Sequence, residues 1–327
     1  MYLDSLKDTS MLLQLEKIKE KMMSQTASGD VYLNGSLDYL MTTGGKMLRP
    51  LLLMVGSRMG KKHLKFEDEL IKLAAAVETI HLATLIHDDI IDQSQMRRGK
   101  ESIQGKYGQS YAVYMGDYLL SQCFLMLTHL DLEKDQAINL AKVVTKICIG
   151  DMKQNQMRYN VDLSPYQYIK MVSGKTAALI SIALSSGAHY AKAKESHVKL
   201  LGRIGYELGM AFQLVDDLLD YEGDMAIVGK EVQVDIGRGY YSMPIIYALQ
   251  GEEAHVTGLK SRLTKDVTEE DLAYIFDIVT ESGALAKTKE LAMRYNERAM
   301  ALVGQLPSGE TRSILEALIP SLLTRLL

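Results

Sequence analysis

An all-α fold is expected for this 327-residue chain. Apolar residues recur at three- and four-residue spacing along most of its length, the mark of helices with one buried face. Alternating patterns long enough for strands are absent. Only five prolines occur (Pro50, Pro165, Pro244, Pro307 and Pro320), and they fall where helices would start or stop.

The elements follow in order. Leu70, Leu73, Ala74, Val77, Ile80 and His81 trace one helical face, which continues through Thr84, Leu85 and Asp88. Ser164-Pro165 reads as an N-cap followed by the first helical position. Thr268 to Asp271 reads as a capping box with Asp in place of Glu. The longest irregular stretches are placed at 61–66, 223–240 and 251–267. No Pro/Ser/Gly linker divides the chain, so a single domain over residues 1–327 is expected: about ten to twelve helices joined by short loops.

Composition narrows the function. The net charge of −4 gives no overall basic bias, which argues against nucleic acid as a partner. The two cysteines, Cys123 and Cys148, form no CxxC or Cys/His cluster. A zinc site is therefore not expected, and a reducing, cytoplasmic setting is. The N-terminus lacks a basic segment followed by an apolar core. The longest weakly polar run, from Thr176 to Ala191, falls short of the roughly 20 apolar residues a bilayer needs. It reads as a buried core helix, and no transmembrane span is expected.

One motif occurs twice. His87-Asp88-Asp89-Ile90-Ile91-Asp92 and Val215-Asp216-Asp217-Leu218-Leu219-Asp220 both read Asp-Asp-x-x-Asp within apolar sequence. On a helix, residues four apart share a face, roughly 6 Å from one another. Asp88 thus pairs with Asp92 and Asp216 with Asp220, while Asp89 and Asp217 flank those faces. Two carboxylates about 5 Å apart repel by roughly 3 kcal/mol at an effective dielectric of 20. Such clusters, where partly buried, call for cations or raised pKa values, and oxygen-only ligands shared with substrate phosphates suit Mg²⁺. A solvated acidic helix face is the plainer alternative, but two copies set in apolar sequence argue against it.

Basic residues in short, distinctive contexts complete the pattern. Gly44-Gly45-Lys46-Met47-Leu48-Arg49-Pro50 puts Lys46 and Arg49 beside a flexible pair of glycines. Arg97 and Arg98 follow the first acidic motif, Lys175-Thr176 lies in a long helical run, and Lys230 follows the second motif.

With these motifs in view, the chain resembles the trans-isoprenyl diphosphate synthase (polyprenyl synthetase) family. The likeness runs from about Gly35 to the C-terminus through GGKMLRP, ETIHLATLIHDDIID with its RRGK tail, YAVYMGDYLL, SGKTAALI, FQLVDDLLDYEGD and GKEVQVDI. The resemblance implies an antiparallel helical bundle around a deep central cavity, isoprenoid synthase in type and usually a homodimer. It implies condensation of isopentenyl diphosphate with an allylic diphosphate. Asp88, Asp92 and Asp216 would hold Mg²⁺, assisted by Asp89, Asp217 and Asp220. Arg97, Lys175 and Lys230 would contact the allylic diphosphate. Isopentenyl diphosphate would be held by Lys46, Arg49, His81 and Arg98, and Thr176 and Gln213 would turn oxygen dipoles towards the allylic cation. His87 is expected to support the site structurally.

In this family the product grows alongside the helix that carries the first motif. The residues a turn before Asp88 are the small Ala83 and Thr84, which leaves room for a product longer than C15. Three departures stand out: Met47 where Arg is frequent, Glu101 where Pro is common, and Tyr240 where a Lys usually helps close the lid. A terpene cyclase, a subunit of a heteromeric synthase with a small partner, and an HD-type phosphohydrolase suggested by His87-Asp88 are the competing readings. The second-substrate set argues against the first, the two intact acidic motifs against a non-catalytic subunit, and the missing His ligands against the last.

Overall fold

The computed structural model describes residues 9–42, 45, 47–97, 99–221, 232 and 234–323. They form a helical bundle: α1 (Thr9–Thr26), α2 (Val31–Thr42), α3 (Leu48–Ser57), α4 (Glu67–Ile91), α5 (Ile103–Tyr107), α6 (Gln109–Thr128) and α7 (Lys134–Gln156) come first. The second half holds α8 (Pro165–Val172), α9 (Ala178–Tyr190), α10 (Glu195–Leu219), α11 (Met243–Ala248), α12 (Glu253–Arg262), α13 (Glu269–Glu281), α14 (Ala284–Val303) and α15 (Glu310–Leu323). The one sheet among the described residues is a two-residue hairpin, Met96–Arg97 against Lys100–Glu101, with Arg97 opposite Lys100.

Helix α4 is the axis of the site. Leu70, Ile71, Leu73, Ala74, Ala75, Ala76 and Val77 are all buried, so the helix is apolar on every side and lies inside the bundle. Its acidic first turn, Glu67 to Glu69, complements the positive end of the helix dipole. By length and composition it would also span a membrane, but 72% of its apolar window is buried inside the protein. It exceeds in this respect the Thr176–Ala191 run that the sequence singled out.

Helices α3 and α9 cross at their backbones. A Cβ on Gly187 would lie 2.0 Å from the Leu53 carbonyl oxygen, and one on Gly56 the same distance from that of Leu184. Only glycine permits this approach. The expected N-cap at Ser164 forms, and with Gln167 it closes a capping box; the capping box expected at Thr268/Asp271 forms as well. Two expectations need correction. The 251–267 stretch is largely helix α12, and Pro320 lies within α15, not at its end.

Between α8 and α9 the chain makes a π-helical turn, Ser173–Ala177. Such turns insert into α-helices mostly at functional sites. This one carries Lys175 and Thr176.

Candidate active site

Each acidic motif lies where its helix ends. Asp92 is the C-cap of α4 and Asp220 the C-cap of α10. The sequence had placed both motifs inside helices. A helix C-terminus carries negative partial charge, so carboxylates clustered there are destabilised until cations arrive. Asp88 from α4 and Asp216 from α10 line one cavity of about 600 Å³, together with Arg49, His81, Thr84, Arg97, Lys175, Thr176 and Gln213. The structure thus gathers most of the expected residues. Lys46, Arg98 and Lys230 lie outside the described residues.

Lys175 is the cation paired with Asp88 of the first motif. Its ammonium is 3.1 Å from an Asp88 carboxylate oxygen and 3.1 Å from one of Asp151, and it donates to Gln154 Oε1 at 3.0 Å. Burial alone would lower its pKa, but Asp88 and Asp151 outweigh that and hold it above the usual lysine value. It stays charged. The Asp151 pKa moves up as well, which for a carboxyl favours the neutral form. Burial raises its pKa, and neighbouring Asp88 adds to the effect, against the pull of Lys175. Neither Asp151 nor Gln154 was found from sequence. A lone Asp on a mixed helix gives no signal until α7 is placed against the π turn.

Asp89 and Asp217 differ from their motif partners. Asp89 is buried and accepts from Arg97 at 2.6 Å, while its backbone carbonyl accepts from Gln104. Asp217 is only 4% exposed. It accepts from the Tyr168 hydroxyl at 2.5 Å, from Gln213 Nε2 at 3.1 Å and from the Met243 amide at 3.3 Å. Burial raises both pKa values. Neither residue lines the 600 Å³ cavity. Both were expected to assist the metal; here they accept from protein donors, Asp89 Oδ1 from Arg97 and both Asp217 oxygens from Tyr168, Gln213 and Met243, and so brace the helix ends.

Gln213 links this brace to the cavity. Its carbonyl accepts from the Thr176 hydroxyl at 2.9 Å while its amide donates to Asp217. The threonine directs its proton to Gln213, which leaves its oxygen as an acceptor dipole in the cavity. His87, as expected, lies outside this group: its Nε2 is 3.3 Å from Asp117 and its ring packs on Gly116.

A second, more apolar cavity of about 500 Å³ opens beside Asp88 and Asp92, between α4, α6 and α7. Thr84, Ile91, Leu120, Val144, Ile147 and Cys148 line it. Thr84 borders both cavities. Ala83 borders neither and is fully buried in the core. The cavity wall is therefore Thr84 and not Ala83. Five residues back from Asp88 the helix has turned about 140° away, against about 40° for four residues.

Tyr240 also borders this second cavity, beside Asp92. Burial and Asp92 together hold its pKa above the ordinary phenol value. Arg158 lies over the Tyr240 ring, 5.3 Å from its centre, and donates from Nε to the Arg238 carbonyl. Arg238 donates to Ser94 and not to an acidic motif, so among the described residues the neutral phenol occupies the place at Asp92.

The donor set fits a divalent cation in a particular way. Among the described residues no three acidic, His or Cys side chains are already close enough to grip an ion. An ion here would draw part of its shell from substrate oxygens, as Mg²⁺ commonly does.

The polyprenyl synthetase family model matches residues 30–279. Heptaprenyl diphosphate synthase component 2 of Bacillus subtilis is 30% identical over 303 residues, covering 91% of this chain and 84% of that protein. The geranylgeranyl pyrophosphate synthase of Lactobacillus brevis superposes with a TM-score of 0.92 at 30% identity, covering 99% of this chain and all of that one. A polyprenyl synthase from Caulobacter crescentus, complexed with calcium and isoprenyl diphosphate, gives 0.87 at 31% identity, covering 96% and 95%. With two acidic helix ends facing one cavity and this likeness along nearly its whole length, the chain belongs to the polyprenyl synthetase family of prenyl diphosphate synthases.

Proposed function

We propose that this chain joins isopentenyl diphosphate to an allylic diphosphate and releases a trans-polyprenyl diphosphate longer than C15. The observation that carries this is the meeting of Asp88 and Asp216, from helices 128 residues apart in sequence, in one cavity with Lys175, Arg49 and His81.

Asp88, Asp92, Asp216 and Asp220 would hold Mg²⁺, which when bound neutralises charge developing on the leaving diphosphate. Lys175 and Arg97 hold positive charge at the same end of the cavity. Charge placed there beforehand favours the ionised state over the ground state. Thr176 and Gln213 present oxygen dipoles that stabilise the allylic cation. Arg49 and His81 orient isopentenyl diphosphate so that its double bond reaches the cation, and the departing diphosphate takes the proton. The apolar walls exclude water that would quench the cation. The tail then passes Thr84 into the second cavity, whose small and aliphatic walls suit a long product. The likeness to a heptaprenyl diphosphate synthase component supports the same reading.

Residues 1–327 form one domain in this reading, since α10 contributes Leu201, Ile204 and Leu208 to one core cluster and Leu214 and Val215 to the other. Val113, Tyr114, Phe124 and Leu125 are exposed on α6 and supply an apolar face for a homodimer. A cytoplasmic setting fits the free thiols Cys123 and Cys148. A second reading, a catalytic subunit that needs a small partner, is favoured by the likeness to a protein named as component 2 of a heptaprenyl synthase.

The test is incubation of the purified chain with labelled isopentenyl diphosphate and C10, C15 or C20 primers, with and without Mg²⁺. Products longer than C15 that vanish with chelator are expected. Hydrocarbon in place of diphosphate esters would overturn the reading in favour of cyclisation. Activity that returns only with a second protein would establish the heteromeric form.

A further inference from the structure

A third cavity, of about 410 Å³, lies outside the region of Asp88 and Asp216, between α7, α8, the π turn, α9 and α10. Four lysines line it: Lys142, Lys146 and Lys153 from α7, and Lys170 from the end of α8. Lys142 and Lys146 are one turn apart on a single helix face, and Lys153 continues the same stripe seven residues on. Among the described residues none of the four is in a salt bridge, and no carboxylate lines the cavity. The remaining polar lining is neutral: Asn139, the hydroxyls of Ser173, Ser181 and Tyr206.

In a chain of net charge −4 this is a local reversal of sign. Like charges a helical turn apart destabilise one another. A concave surface that concentrates them draws anions. The floor is the rear of the π turn. A Cβ on Gly150 would lie 3.0 Å from the Lys175 amide nitrogen, and one on Gly174 3.0 Å from the Lys146 carbonyl oxygen. The groove therefore backs directly onto the turn whose other side carries Lys175 and Thr176.

We propose that the groove of Lys142, Lys146, Lys153 and Lys170 is a second anion-binding site, distinct from the prenyl-transfer cavity, that takes a phosphate-bearing ligand. Lysine binds phosphate as a point charge, and several converging ammonium groups suit a multiply charged phosphate or a phosphate headgroup. The Ser173 and Ser181 hydroxyls donate to the Lys170 and Gly202 carbonyls, so the ammonium groups are the principal donors to such a ligand. The site stands whatever reaction the other cavity performs.

The experiment compares the full chain with Lys142→Gln/Lys146→Gln and with Lys153→Gln/Lys170→Gln. These lysines lie outside the catalytic set, so prenyl transfer at low phosphate serves as the control for folding. Two probes are used. One is calorimetric titration with inorganic diphosphate in the absence of divalent ions. The other is co-sedimentation with vesicles of pure phosphatidylcholine or of phosphatidylcholine containing phosphatidylglycerol. The expected result is a second diphosphate-binding event in the wild type, beyond that of the prenyl-transfer cavity, that both double variants weaken at least ten-fold, with a steep loss as salt rises. A difference seen with diphosphate identifies a free anion as the ligand, and one seen only with the anionic vesicles identifies a lipid headgroup. Equal binding of both probes by wild type and variants would overturn the proposal. So would variants that change only the oligomeric state in sedimentation, which would make the groove a subunit interface.

Discussion

The Lys175 ammonium stands 3.1 Å from Asp151, a carboxylate contributed by a helix that carries neither acidic motif. The same ammonium lies 3.1 Å from Asp88. Asp151 is thus a partner that sets where Lys175 points. Asp151→Asn is expected to lower kcat about ten-fold with little change in KM for isopentenyl diphosphate, the scale typical of groups that orient a first ligand. Lys175→Ala is expected to cost 10²-fold or more. Steady-state kinetics with each substrate varied in turn separates the two. Equal losses would make Asp151 a direct participant.

Asp216 and Asp217 are neighbours with opposite tasks. Asp217→Asn places an amide against the Met243 N–H and the Tyr168 hydroxyl, and is expected to destabilise the fold by about 1–3 kcal/mol. Asp216→Asn should leave stability within about 0.5 kcal/mol and abolish turnover. Urea unfolding without metal reads the first effect, and product formation reads the second. Because burial raises the Asp217 pKa, the folded state binds its proton more tightly than the unfolded chain does. The Asp217 contribution therefore gains as pH falls through the folded value, and the deficit of Asp217→Asn widens in acid.

Thr84→Phe is expected to shorten the product, since Thr84 borders both the reaction cavity and the apolar one. Ala83→Phe should behave differently. Ala83 is fully buried, so a ring there overpacks the core and costs about 1–3 kcal/mol. Chromatography of the products and thermal unfolding of the two variants check this. Identical product distributions for wild type and Thr84→Phe would move the growing tail elsewhere.

The two cysteines should respond unequally to alkylation. Cys123 is buried, which pushes its thiol up to about 12. Cys148 is exposed and lines the apolar cavity. Native protein at pH 8 should take one equivalent of maleimide, at Cys148, and urea-unfolded protein two. A bulky adduct at Cys148 should shorten the product, and Cys148→Ser should be immune. Mass spectrometry of the protein and chromatography of the product give both readings.

Tyr240→Phe removes the phenol hydroxyl beside Asp92. Asp92 then has no phenol to release before it meets a metal. The Mg²⁺ concentration for half-maximal rate should fall two- to five-fold. An unchanged metal dependence would mean that Asp92 does not take part in metal binding.

Much of the site was legible because its chemistry repeats. Two Asp-Asp-x-x-Asp copies, with Lys175 and Arg49 in distinctive settings, pointed to Asp88, Asp216 and their basic neighbours. Helical phase alone would also have separated Thr84 from Ala83. What was not legible depends on packing between distant elements. Asp151 matters only because Gly150 lets α7 approach the π turn closely. The partners of Asp89 and Asp217, Arg97 and Tyr168, come from elsewhere in the fold and leave no mark on the motifs themselves. Helix α12 escaped notice because its polar sequence, Glu253 to Arg262, buries only Leu259.

The π turn at Ser173–Ala177 has a mechanical consequence. One additional residue accommodated in a helix rotates everything beyond it by about 100° relative to an uninterrupted α-helix. Upstream, Tyr168 is aimed at Asp217. Downstream, Gly187 is aimed at the α3 backbone. A regular helix through this segment could satisfy only one of those two orientations. Deleting a single residue from the turn would force the enzyme to choose between its catalytic end and its core, while paired changes that preserve the offset would be tolerated.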